Sequence, residues 1–310
     1  MATVAAARGS RRGRLRYVAE RRGFLATLLI SPAVLFIAAL VGVPLVLAIY
    51  LSFTDATAGS ITGHWVGLRN FRAILRDPVF RGSLGHTAEM TFISQAIVVV
   101  CAGLIAHALV HKFRGRWFLR FLILLPWAAP ISLTVIGFLW FFDPQASIWN
   151  WFLIKLHVVT PLTKPNWLGT PRDAMASIIT VQAWRTIPFA TVIFLAGISS
   201  IPQEVDDAAA IDGATGLRKF WHVSLPLQLP IAIVAVLFGI VFTATDMVVP
   251  YILTNGGPFN STQVLTTYAF QTGINAGNIG EGAAIALFML PVLAFVAIGM
   301  LFFARRAEVT

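Results

Sequence analysis

The chain has 310 residues, of which 57% are hydrophobic and 12% charged, and its mean hydropathy is +0.80. Soluble domains carry about 25% charged residues, so this composition excludes a soluble globular protein and leaves most of the surface facing lipid. The lone Cys101 excludes an intramolecular disulfide framework and a thiol metal site. The net charge of +10 suits either nucleic acid or the basic loops of a membrane protein, depending on where the charges fall.

Residues 1–23 form a basic tail with Arg8, Arg11, Arg12, Arg14, Arg16, Arg21 and Arg22. Ser10-Arg11-Arg12 has the look of a twin-arginine export signal. The apolar run that follows, about 24–53, is too long for a signal peptide and reads as a signal anchor. Further runs that meet the roughly 20 residues needed to cross a bilayer lie at about 87–110, 119–142, 174–199, 229–253 and 282–304. Barrel strands would be half as long and alternate in polarity. The expected fold is therefore all-α, a polytopic membrane protein with six transmembrane helices, because helices satisfy their own backbone in lipid.

Charge in the connections sets the expected orientation. Lys112, Arg114, Arg116 and Arg120 follow the second run, Arg218 and Lys219 the fourth, and Arg305 and Arg306 the sixth, ahead of a short tail at 305–310. The opposite side holds Arg69, Arg72, Arg76 and Arg81, then Lys155, Lys164 and Arg172, then none. The excess places both termini in the cytoplasm, with the first outer connection as an exception. Pro32, Pro44, Pro126, Pro130, Pro188, Pro250 and Pro291 fall in or near the runs, where they kink helices either around a pathway or in ordinary packing.

The connection 200–228 has the most distinctive pattern. Pro202 suits a first turn, Glu204, Asp206 and Asp207 complement the positive end of a helix dipole, and Ala208–Ala210 favour helix. Gly213 bends or ends that helix, Leu217, Phe220 and Trp221 give a second segment an apolar face, and Pro226 and Pro230 mark re-entry into the membrane. On physics alone this is a short helix lying along the surface, either free at the interface or docked on a partner. Asp207-Ala208-Ala209, three residues, Gly213, nine residues and Val223-Ser224-Leu225-Pro226 resemble the EAA loop of ATP-binding-cassette importer permeases. Asp stands for the usual Glu and Val for the usual Ile.

The resemblance implies a type I importer permease whose loop 200–228 is a coupling helix seated in a separate ATPase. Glu204, Asp207, Ala208, Ala209, Asp212, Gly213, Leu217 and Pro226 would form that contact. ATP and Mg2+ would be used by the ATPase, with no cofactor and no metal bound by this chain and no catalysis of its own. Consistent with this, no Walker A pattern appears, and the six histidines show no ligand spacing beyond His107/His111.

Trp65–Phe71, Trp184–Phe189 and Asp246–Thr262 are similar to segments of carbohydrate-uptake permeases, in the maltose and glycerol-3-phosphate group, at the first of its two permease subunits. This implies a heterodimer with a second permease, two ATPase copies and an extracytoplasmic solute-binding protein in a bacterial or archaeal inner membrane. The extra spans and large outer domain of the bigger members are not expected here. By resemblance the solute pathway falls near Gln182, Arg185, Thr186, Phe189, Phe242, Thr243 and Asp246. Arg185 and Asp246 either bind solute or pair with each other, and Phe189 and Phe242 either stack on a sugar or pack helices. A disaccharide, an oligosaccharide and glycerol-3-phosphate all remain open as solutes. The rival readings are an ion-gradient-driven secondary transporter, which would show paired repeats and ion sites in one chain, and a membrane-embedded enzyme.

Overall fold

The computed structural model describes residues 22–308 except Ile61 and Thr215. The arginines of the basic tail from Arg8 to Arg21 lie outside the described residues. Two compact units divide after Leu51.

The first unit holds α1 (Arg22–Ile37), a π-helical turn (Ala38–Gly42) and α2 (Val43–Ser52), whose last residue opens the second unit. Together they give an apolar helix at Leu25–Ser52, with Leu29, Leu35, Val43 and Val46 all exposed. A helix that is apolar on every side is a membrane span rather than a soluble surface helix.

The second unit is built on two long parallel helices, α4 (Pro78–Val110) and α8 (Pro171–Ser199), preceded by the short α3 (Arg69–Arg76). Their starts are set locally. Asp77 Oδ1 accepts from Val79 N–H at 2.9 Å and Thr170 Oγ1 accepts from Asp173 N–H at 3.2 Å, each with proline at the next position. This cap starts the second span at Pro78, earlier than hydropathy alone suggests. The two helices form the most extensive pair in the fold, packing through Ala102, Ala106, Ala183 and Ala190, whose small side chains let the backbones approach. At 33 residues, α4 runs about 50 Å, longer than the hydrocarbon core. Arg116 and Arg120 donate to the last carbonyls of α4, those of Val110 and Leu109.

Two expected spans differ. Residues 119–142 are two helices, α5 (Arg116–Ala128) and α6 (Ile131–Phe142), meeting at 97°. Pro130 forces Ala129 into an extended conformation (ψ 140°), which ends α5. The fifth span lies at Phe220–Ala244, shifted toward the N-terminus from 229–253. It comprises a π-helical turn (Phe220–Ser224) and α11 (Leu225–Ala244), reached through α10 (Gly216–Lys219). The chain breaks at 245–247 because the Asp246 carboxylate takes the Val249 N–H at 3.0 Å and diverts it from the helical ladder. Helix α12 (Val248–Leu253) follows, with Pro250 tolerated in its first turn.

The remaining elements are α7 (Ile148–Lys155), α9 (Gln203–Ile211), α13 (Leu265–Phe270) with a π-helical turn (Gln271–Asn275), α14 (Ile279–Leu287) and α15 (Met289–Glu308). Among the described residues five helices are long and apolar enough to cross a membrane, six if the bent pair counts as one. Among the described residues the only extended pairings are isolated bridges at Thr54/Trp65 and Thr57/Ser60. Three apolar clusters hold the second unit together. One joins α4, α6, α8 and α12 (Met90, Val135, Ile178, Val249), one joins α3, the start of α4, α13 and α14 (Ile74, Phe80, Leu265, Ile285), and one is the alanine seam.

Candidate functional site

Two regions gather the residues that the sequence marks out. The first lies where α8 passes the break after α11. Arg185 Nη1 donates to Asp246 Oδ2 at 2.6 Å, with side-chain exposures of 16% and 4%. The other Asp246 oxygen accepts from Val249 N–H, and the Asp246 carbonyl accepts from Thr266 Oγ1 at 3.0 Å. One residue thus fixes α8, α12 and α13 together. Of the two roles open to this pair, the geometry shows the mutual ion pair.

The other pathway residues divide by exposure. Gln182, Thr186 and Thr243 are buried. Thr186 Oγ1 donates back to the Gln182 carbonyl at 2.8 Å, and Thr243 Oγ1 accepts from Gln95 Nε2 of α4 at 3.0 Å. Gly239, one turn before Thr243, makes that last contact possible, since a Cβ there would run into the Gln95 amide. The amide of Gln182 is fully buried and has no hydrogen-bond partner among the described residues. Phe189 and Phe242 instead belong to an aromatic group with Trp127 and Phe238. Trp127 stacks on Phe189 with centroids 5.0 Å apart, Phe242 meets Phe189 edge-on at 5.6 Å, and Phe238 lies 6.2 Å from both. Trp127, Phe238 and Phe242 are all more than a third exposed.

The second region is the connection 200–228. Helix α9 starts after Pro202 and ends at Ile211, where Gly213 adopts φ +72°. The amides of Gly213 and Ala214 bond to the carbonyls of Ala210 and Ala209 at 3.1 and 2.8 Å, the Schellman pattern that closes a helix and requires a left-handed residue at Gly213. Glu204, Asp207, Ala208, Asp212 and Gly213 are exposed, and Ala209 is buried. Gln203 Nε2 donates to Asp207 Oδ1 at 3.1 Å. Leu217 lies in α10, and Pro226 is exposed in the first turn of α11. Among the described residues three large apolar side chains point outward here: Ile211 is 87% exposed, Trp221 60% and Leu227 50%.

Residues 99–309, well over half of the chain, match the family described as the binding-protein-dependent transport system inner membrane component. The chain belongs to this family. The permease is 30% identical to the sulfoquinovosyl glycerol transport system permease protein SmoG of Agrobacterium fabrum, over 86% of this chain and 85% of that protein. It is 34% identical to the trehalose/maltose transport system permease protein MalF of Thermococcus litoralis, over 72% of this chain and 74% of that one. Among solved structures, a bacterial alginate ABC transporter in complex with alginate pentasaccharide-bound periplasmic protein superposes with a TM-score of 0.79, covering 94% of this chain and 98% of that chain at 18% identity. The fold is therefore that of an ABC transporter permease, and the protein is a multi-pass inner-membrane component.

Sequence reasoning on the permease missed Trp127, Phe238, Gln95 and Ile211. The first had a readable signal: Leu-Pro-Trp-Ala-Ala-Pro at 125–130 carries two prolines four apart, which breaks the span and leaves Trp127 at the corner. The other three needed the packing of α4, α8 and α11, which periodicity does not supply.

Proposed function

We propose that this permease moves a sugar, a disaccharide or a short oligosaccharide, into the cytoplasm by alternating access. It would pair with a second permease, receive solute from an extracytoplasmic binding protein, and be driven by two copies of an ATPase that uses ATP and Mg2+. Both termini then lie in the cytoplasm. The observation that carries this reading is the exposed helix–Schellman turn–helix of residues 203–219. It is rigidly closed at Gly213, displays Ile211 to solvent, and runs directly into the span Phe220–Ala244. A push on α10 reaches α11 directly, because α10, the π-helical turn and α11 follow one another without a break. Glu204, Asp207, Ala208, Ala209, Asp212, Gly213, Leu217 and Pro226 make up the coupling surface, with Ile211 as its apolar contact.

A neutral sugar is favoured over glycerol-3-phosphate because the charge of Arg185 is already met by Asp246 at 2.6 Å. The solute-contacting surface is then the aromatic group of Trp127, Phe238 and Phe242, exposed and backed by the half-buried Phe189, whose rings suit the apolar faces of sugars. Gln182, Thr186 and Thr243 brace that surface from α8 and α11, and Arg185 with Asp246 holds its outer edge. The sugar-linked names of the relatives support the same class.

The experiment is co-purification of the ATPase with tagged permease, wild type against Ile211→Glu and Ala208→Glu. Both side chains are exposed, so the fold tolerates the change while docking does not. Retention of the ATPase by both variants, or its absence from the wild-type preparation, would leave an ion-gradient-driven carrier as the better reading.

A further inference from the structure

Helix α3 carries three arginines and no acidic residue. At 3.6 residues per turn, Arg69, Arg72 and Arg76 fall within about 60° of one another, on the side of the helix away from the buried Asn70 and Ile74. All three are exposed. Among the described residues the ion pairs are His64 with Asp55 and Arg185 with Asp246, so none of these guanidinium groups meets a carboxylate. Asp77, the acid that follows them in the chain, gives its carboxylate to the Val79 amide and the Tyr268 hydroxyl. Beside the arginine stripe, Leu68 and Leu75 form an apolar flank, each more than half exposed.

Packing fixes the depth of α3. Asn70 Nδ2 donates to the Ser52 and Thr54 carbonyls at 2.9 and 2.7 Å, and Ile74 shares an apolar cluster with Ala244. Ser52 and Ala244 each end a helix long and apolar enough to cross a membrane. Helix α3 therefore lies at a membrane boundary, opposite residues 200–228, from which the span Phe220–Ala244 starts. The Trp65 ring, more than half exposed, stacks on Phe53 at 5.2 Å, one residue past Ser52. Exposed tryptophan is enriched at that depth, and a helix with a basic stripe beside an apolar flank suits the headgroup layer.

We infer that α3 lies in the headgroup layer and binds the phosphates of anionic phospholipids in the leaflet opposite residues 200–228. The guanidinium forks of Arg69, Arg72 and Arg76 take the phosphate oxygens, while Leu68 and Leu75 enter the acyl boundary. Lipid phosphate supplies the counter-charge that the protein does not. Through Asn70 and Ile74, the bound headgroups hold Ser52 and Ala244 at one depth.

The test is amide exchange over residues 66–77 of the full chain, reconstituted in phosphatidylcholine nanodiscs of rising phosphatidylglycerol content. Phosphatidylglycerol is expected to slow exchange there. The content giving half of that protection should rise about fivefold for each arginine replaced by glutamine, and protection should vanish in Arg69→Gln/Arg72→Gln/Arg76→Gln. Arg69→Lys/Arg72→Lys/Arg76→Lys should keep it, which separates lost charge from a damaged helix. Lys112→Gln/Arg114→Gln, at the other boundary, is the control and should behave as wild type. Equal exchange with and without phosphatidylglycerol, or protection that survives in the triple glutamine variant, would overturn the assignment. Unchanged protection in that variant together with lost affinity for a soluble binding protein would overturn it in favour of a protein-docking face.

Discussion

Asp246 is the residue on which most of the central arrangement depends. Its carboxylate meets Arg185 and the Val249 amide, and its carbonyl meets Thr266. Removing only the arginine leaves a buried, half-satisfied carboxylate. Arg185→Ala is therefore expected to lower stability by about 3 kcal/mol, seen as a drop in thermal unfolding midpoint in detergent. The double change Arg185→Gln/Asp246→Asn removes both charges, keeps an acceptor for the Val249 amide, and should recover most of that loss. If uptake also recovers in the double variant, the pair is a strut; if the fold recovers and uptake does not, the charges touch solute. The sequence leaves both roles open because hydropathy places the two residues on neighbouring spans without giving their rotation. Only the break at 245–247 turns Asp246 toward α8. Gly213 is held in the left-handed region just past the end of α9. Space around it is open, so Gly213→Ala costs about 1 kcal/mol through its φ of +72° alone, measurable as faster amide exchange across 203–214 than in the wild type.

At the scale of elements, Asp77 joins the start of α4 to α13, capping Val79 with one oxygen and accepting from the Tyr268 hydroxyl with the other. Burial, then the bond to Asp77 and its charge, push the Tyr268 hydroxyl up to about 12 from its ordinary 10.0. The sign follows directly. A pKa raised on folding stabilises the fold fully below pH 10 and loses that contribution as pH rises toward 12. Difference titration of tyrosinate absorbance, wild type minus Tyr268→Phe, is expected to show one group ionising near 12; a group ionising near 10 would mean the bond is absent. Near the end of α6, the amides of Ala146 and Gln145 hold the Asp143 carboxyl below its ordinary range, so that turn loosens only as acid is added. Element existence was largely legible from apolar run length. The starts were legible where a cap precedes proline, as at Asp77-Pro78 and Thr170-Pro171. The 97° corner was not, because proline announces a kink but not its angle, and that angle is settled by α6 packing on α8 and α12. The end of the fifth span was misjudged for a related reason: residues 248–253 are as apolar as a span, but the side chain of Asp246 had already closed α11.

For the whole molecule, family membership carries the permease fold, and the remaining questions are direction and drive. Reporter fusions at both ends are expected to report the cytoplasm, as the basic connections after the second and fourth spans demand. Trp127→Ala should weaken sugar uptake about tenfold, the loss expected when one aromatic stacking contact of about 1 kcal/mol goes together with its buried area. Uptake of labelled sugar by the reconstituted complex measures it. The helix–turn–helix of 203–219 was legible as short helices because its spacing of acid, alanines, glycine and proline is a covalent pattern. The aromatic surface was only half legible, since Trp127 and Phe238 join it through tertiary packing.

The most direct test of the central claim is ATP hydrolysis by the complex in lipid vesicles, with and without solute-loaded binding protein, for wild type and Gly213→Asp. Stimulated hydrolysis and uptake are expected in the wild type, and loss of both in Gly213→Asp while the spans remain inserted. Undiminished stimulation in the variant, or uptake that proceeds without nucleotide, would contradict that expectation.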